Sequence, residues 1–170
     1  MFDKINPINI LKDHFNTLID FKTKKILKTD ILLFFVLPFA IAVILILTKN
    51  TLSNIANILI TAFSIFAALL LNLLLLIYSI LGKEKGSSIK NDIKIKLLEE
   101  IYKNISFCIL ISIYCLLFLF ATFIISNKFI LPILELIVYF LLGVFILSLF
   151  MILKRVHKIF GDEFNHDSCH

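Results

Sequence analysis

The sequence predicts an all-α integral membrane protein: a four-helix bundle with an amphipathic cytoplasmic N-terminal helix and a cytoplasmic extension of its third helix. Three observations predict it. Hydrophobic residues make up 60% of the 170, against roughly 45–50% in a soluble domain, and the mean hydropathy is +1.01. The apolar residues gather into four long runs, separated by short polar pieces that carry nearly all the charge. Only four Gly and three Pro supply turns, so the chain is built from a few long elements. A water-soluble globule of this size would leave much of its apolar surface wet. A disordered chain and a soluble enzyme are therefore both excluded.

Residues 1–30 form the cytoplasmic amphipathic basic segment. Asn6 and Pro7 read as an N-cap followed by proline at the first helical position. Ile8, Leu11, Phe15 and Leu18 then recur at steps of three and four, with Lys12, Asp13, Asn16 and Asp20 on other faces. Two placements of this helix stay open. It lies among lipid headgroups, aided by a basic membrane-surface patch of Lys22, Lys24, Lys25 and Lys28 drawn to anionic lipid, or it packs on the cytoplasmic ends of the bundle.

The transmembrane domain, 31–153, contains runs at 31–47, 55–81, 105–125 and 129–153, of 17, 27, 21 and 25 residues. A hydrocarbon core about 30 Å thick needs roughly 17–25 helical residues. Runs this continuous lack the alternation of barrel strands, and a backbone in lipid must bond to itself, so each run is a helix. Even the most polar run inserts. Its 17 Ile, Leu, Phe and Val residues contribute roughly −7 kcal/mol, more than about 3 kcal/mol charged to each of Asn57 and Asn72.

The connection 82–104 opens with Gly82 and a turn at Gly86-Ser87-Ser88, and a helix is expected to start near Ser88. Ile89, Ile93, Leu97, Ile101 and Ile105 repeat every four residues, with Asp92/Lys96 and Glu99/Lys103 spaced to pair, so the third helix extends into the cytoplasm. This extension and the N-terminal helix form the expected docking surface for a cytoplasmic protein partner; the alternative is a solvated stalk. Fifteen Lys and Arg fall on the N-terminal segment, this connection and the tail 154–170, and two, Lys49 and Lys128, on the other connections. That asymmetry places both termini and this connection in the cytoplasm of a multi-pass protein. The first apolar run starts too late for a cleaved signal peptide.

Polar residues inside the spans are the candidate functional positions. Asn54, Asn57, Thr61, Ser64, Ala68, Asn72 and Ser79 share a sector roughly 80° wide on the second span. Cys108, Ser112, Cys115, Thr122 and Ser126 form a similar line on the third. Such stripes mark close helix approach, each interhelical hydrogen bond contributing about 0.6–2 kcal/mol. Alternatively, a homo-oligomer gathers Asn57, Thr61, Ser64, Asn72, Ser112 and Thr122 around a water-filled path. Pro38 interrupts the first span and should kink it or free a carbonyl. Glu135 is the one ionisable residue inside a span, in line with Tyr139 and Gly143. It either moves an ion or proton or reaches toward the headgroups from about 9 Å inside its helix.

Catalysis has little to stand on: there is no phosphate loop, dinucleotide turn or nucleophile elbow. Cys108 and Cys115 read as packing residues. His166, Cys169 and His170 crowd a terminal tail without supporting groups, so no metal and no cofactor are expected. The lysines are explained by topology, and nucleic-acid binding is disfavoured.

Lys24-Lys25, the stretch Asp30-Ile-Leu-Leu-Phe-Phe with Pro38, Leu59-Ile-Thr-Ala-Phe-Ser-Ile-Phe-Ala-Ala-Leu-Leu-Leu-Asn72 and Leu97-Leu-Glu-Glu-Ile-Tyr-Lys-Asn-Ile-Ser106 together resemble small four-span membrane proteins of bacterial anti-phage defence loci. The resemblance covers most of the chain and carries over no site residues. It implies a membrane effector or sensor that works with a cytoplasmic partner and alters membrane integrity. The expectation is a non-enzymatic, oligomeric inner-membrane protein of that kind. The alternatives are a small ion, proton or solute transporter centred on Glu135, and a non-conducting scaffold subunit.

Overall fold

The computed structural model describes residues 7–17, 28–47, 52–86, 92–125 and 127–167. Every long element among them is an α-helix: α1 (Ile8–Thr17), α2 (Lys28–Leu47), α3 (Ala56–Gly86), α4 (Asp92–Ile124) and α5 (Leu131–Asp167), with one 3-10 turn at Leu52–Asn54. Three helices are long and apolar enough to cross a membrane, over Ala56–Lys83, Lys94–Ile124 and Leu131–Lys158, and α2 contributes a shorter apolar stretch, Phe34–Leu47. The chain is a multi-pass membrane protein. With 31, 33 and 37 residues, α3, α4 and α5 run for about 45–55 Å at 1.5 Å per residue. Each therefore outruns the hydrocarbon core and carries its charged end beyond it.

Local sequence explains the breaks. At the α4–α5 turn the Asn127 side chain accepts from the Phe129 N–H at 3.0 Å, and its carbonyl accepts from the Ile130 and Leu131 N–H groups. This asparagine folds the chain back on itself and sets the first turn of α5. The expected extension of the third helix is present, beginning at Asp92; Ser88 lies outside the described residues. The segment 154–167, expected as a tail, continues α5 without a break.

The packed neighbours run in the order α2, α5, α4, α3, with α1 laid on α4. Although consecutive in the chain, α2 and α3 do not pack along one another. The four long helices thus form a row with α4 and α5 at its centre. On α4, Leu98, Ile101, Ile105, Cys108, Ser112, Cys115 and Leu119 are all buried, a three-and-four seam typical of near-parallel helix packing. On α3 the buried positions Ala56, Phe63, Leu70 and Ile77 recur every seven residues, the narrow seam of a helix with one main neighbour. Antiparallel α4 and α5 are in register from Glu100 opposite Arg155 to Cys108 beside Ser148.

Pro38 sits inside α2 without ending it and is buried. Its ring lies against Gly143 of α5, so the proline serves as a packing surface at the helix crossing.

Candidate functional site

Two places carry polar chemistry. The first is the outer face of α3. Asn57, Thr61, Ser64, Ala68, Asn72 and Ser79 are all exposed. At 100° per residue this stripe is centred roughly 145° round the helix from the Ala56–Ile77 seam, so it points away from α4. Thr61 and Ser64 satisfy their hydroxyls within the helix, donating to the carbonyls of Asn57 at 2.9 Å and Ile60 at 2.8 Å. The carboxamides of Asn57 and Asn72 make no such bond, and neither has a hydrogen-bond partner among the described residues.

The stripe on α4 points the other way. Ser112 is buried and donates to the Cys108 carbonyl at 2.9 Å; Thr122 is half-buried and donates to the Leu119 carbonyl at 2.7 Å. The structure therefore does not bring the two stripes together. Ser112 lies in the α4 packing seam, where it is out of reach of a second copy.

The second place is a polar cluster where α1 meets α4 and α5. Glu100, Asn104 and Phe107 fall on one face of α4 at steps of four and three. Asn104 and His14 are fully buried. His14 Nδ1 lies 2.9 Å from Asn104 Oδ1; an amide oxygen only accepts, so Nδ1 carries the imidazole proton. Thr17 Oγ1 is 2.9 Å from the same Oδ1 and 2.7 Å from the His14 carbonyl, its single proton shared between them. The imidazole stacks on Phe107 with centroids 3.7 Å apart and planes 4° from parallel, and Phe34 of α2 closes the other side at 5.4 Å.

Arg155, the chain's only arginine, ties three helices together. Its Nε lies 3.2 Å from Glu100 Oε2, and its Nη2 donates to the Thr17 carbonyl at 2.7 Å. Thr17 ends α1, so the guanidinium satisfies one of that helix's open carbonyls and complements the negative end of its dipole. The fork geometry that permits both contacts is particular to arginine. Among the described residues, His14 Nε2, Asn104 Nδ2 and Arg155 Nη1 of this cluster are buried without a partner. Burial above all, with a smaller push from the Arg155 charge, outweighs the Asn104 hydrogen bond and holds the His14 imidazole down at about 4.

This arrangement decides how α1 lies. The apolar stripe Ile8, Leu11, Phe15 and Leu18 was expected to lie either among headgroups or on the bundle; Leu18 lies outside the described residues. Against the bundle lie His14 and Thr17, both buried, with Ile10 and Leu11 packed against the core, while Ile8 is 61% and Phe15 38% exposed. The reason is chemical: Asn104 offers an acceptor and Phe107 a flat ring, and only the His14/Thr17 face supplies donors and a ring to match. The Phe15 ring is left to stack on Phe35 at 5.9 Å. The stretch of α4 from Glu100 to Phe107 accordingly forms a dock shared with α1 and with Arg155 of α5.

Glu135 is half-buried in the second turn of α5, one turn before the buried Tyr139. Lys22, Lys24 and Lys25 lie outside the described residues, as do the side chain of Lys28 and residues Cys169 and His170. Among the described residues no group of His, Cys, Asp and Glu side chains could hold a metal. The sequence pattern missed the His14/Asn104/Arg155 cluster, because its members are far apart along the chain and no period joins them. The one available signal was a lone arginine at the end of an apolar run in a chain otherwise served by lysine. Comparison with protein-family models, with curated proteins and with solved structures finds no match.

Proposed function

We propose that the protein is an oligomeric inner-membrane effector. In this reading α2 through α5 span the bilayer, the α1 end of the bundle lies in the cytoplasm, and copies associate through the outer face of α3 to alter membrane permeability. The observation that carries it is the exposure of Asn57, Thr61, Ser64 and Asn72 on the side of α3 opposite its packing seam. An unpaired carboxamide facing hydrocarbon costs several kcal/mol, and a second copy or a water-filled path between copies removes that cost. The 15-to-2 distribution of basic residues supports the orientation. The α1–α4 dock is then the natural place for a cytoplasmic partner to act. The resemblance to four-span proteins of anti-phage defence loci supports infection as the setting.

Dye or ion leakage from cells expressing the Asn57→Leu/Asn72→Leu variant tests the reading. Leakage well below that of the unsubstituted protein, at equal membrane insertion, is the expected result; undiminished leakage removes the permeability claim.

A further inference from the structure

We propose that the cluster around His14 is a proton-sensitive latch: α1 stays docked on α4 and α5 while the imidazole is neutral and is released when it takes up a second proton. The latch follows from the α1–α4–α5 packing, and it holds whether or not assembled copies conduct.

The geometry leaves no place for that proton. Nδ1–H is already committed to Asn104 Oδ1, so a second proton must go on Nε2, which is buried without a partner among the described residues. Asn104 Nδ2 and Arg155 Nη1, also buried in the cluster, are donors that themselves lack acceptors among the described residues. Among the described residues the charge that acts on the ring is that of Arg155 of α5, and the nearby Glu100 of α4 is already taken by Arg155 Nε. From α2 comes Phe34, and from α1 itself Thr17 and Phe15. Protonation would thus add a third donor without an acceptor and a second positive charge beside a guanidinium. Turning the Asn104 carboxamide over does not relieve this, since Nδ2 would then donate to the Nδ1 lone pair, which also requires the neutral ring.

The sign follows from linkage. His14 is held at about 4 in the docked state against 6.5 for a free imidazole, so its contribution to docking is complete above pH 6.5 and is lost as pH falls toward 4. The docking equilibrium should weaken about tenfold by pH 5.5 and roughly thirtyfold by pH 5.0. With only ten residues, α1 is too short to stay helical once undocked. Release therefore opens its backbone hydrogen bonds.

Amide hydrogen exchange on the full-length protein in lipid nanodiscs reads this directly, as protection factors corrected for intrinsic rate. Between pH 7.5 and 5.5 the protection of residues 11–17 should fall about tenfold while that of residues 105–115 holds. Constant protection of 11–17 over that range overturns the latch. His14→Asn keeps a donor near the Nδ1 position and cannot be protonated, so its profile should be flat; a fall matching the unsubstituted protein also overturns the proposal. Should that variant fail to dock at pH 7.5, the ring resonances of His14 in the unsubstituted protein decide. A midpoint well below 6.5 supports the latch, and one at or above 6.5 refutes it.

Discussion

Gly143 and Pro38 meet so closely that a Cβ placed on Gly143 would stand 2.7 Å from the Cβ of Pro38 and 3.1 Å from its Cα. The glycine is what lets α5 accept the proline ring and with it the whole of α2, whose main packed neighbour is α5. Neither atom can yield easily, since one belongs to a ring and the other to backbone.

Gly143→Val should therefore force α2 away from α5. Overpacking of this kind costs about 1–3 kcal/mol, and the better helix propensity of valine returns only a few tenths of that. Thermal unfolding in detergent should show a midpoint lower than that of the unsubstituted protein, and lower than that of Gly143→Ala, which adds one carbon at the same place. An unchanged midpoint for Gly143→Val would mean that the crossing is looser than described.

Arg155→Leu should be among the most damaging single changes at the α1 end. It strands the Glu100 carboxylate at a site where that side chain is 13% exposed, and it uncaps the Thr17 carbonyl. Removing one member of such a pair costs about 3 kcal/mol or more, whereas replacing both with apolar residues costs much less. The double variant Glu100→Leu/Arg155→Leu should accordingly unfold at a higher denaturant concentration than Arg155→Leu alone.

Ser112→Ala should matter little. Its hydroxyl serves its own helix, so the loss is about 1 kcal/mol or less, and neither self-association nor leakage should change. A large loss of either would place Ser112 in a working path and reverse the assignment of the α4 stripe to packing.

Glu135→Gln separates the effector from a transporter. Glu135 lies near the start of α5, away from the α3 face, and the permeability change assigned to that face should survive the substitution at every pH. Leakage that disappears with Glu135→Gln would favour a path through the acid.

Much of the architecture was legible because insertion into lipid depends on uninterrupted apolar length, which a linear sequence displays. The run 105–125 falls in α4 up to Ile124 and 129–153 in α5 from Leu131 onward, and the four-residue repeat from Ile89 to Ile105 announced the continuous helix that begins at Asp92. What the linear pattern could not show is direction. The stripes on the second and third spans look alike in sequence, yet that of α4 turns inward and that of α3 outward, because α4 packs along both α3 and α5, whereas α3 packs along α4 and meets α5 through its Phe63 and Phe66 rings on Phe145. On α1, hydrophobic spacing gave no sign that His14 and Thr17 would be buried, since their polar atoms meet Asn104 of a distant helix. Residues 14 and 104 are brought together only by the tertiary packing of α1 on α4.

Oxidative disulfide trapping in native membranes tests the role of α3 most directly, with Cys108, Cys115 and Cys169 replaced by serine and single cysteines introduced. Ser64→Cys and Asn72→Cys should cross-link to dimers. Leu69→Cys should not, since Leu69 is 57% exposed but lies roughly 100° round the helix from the polar stripe. Dimers at Leu69 with none at Ser64 or Asn72 would contradict the assembly proposed for this protein.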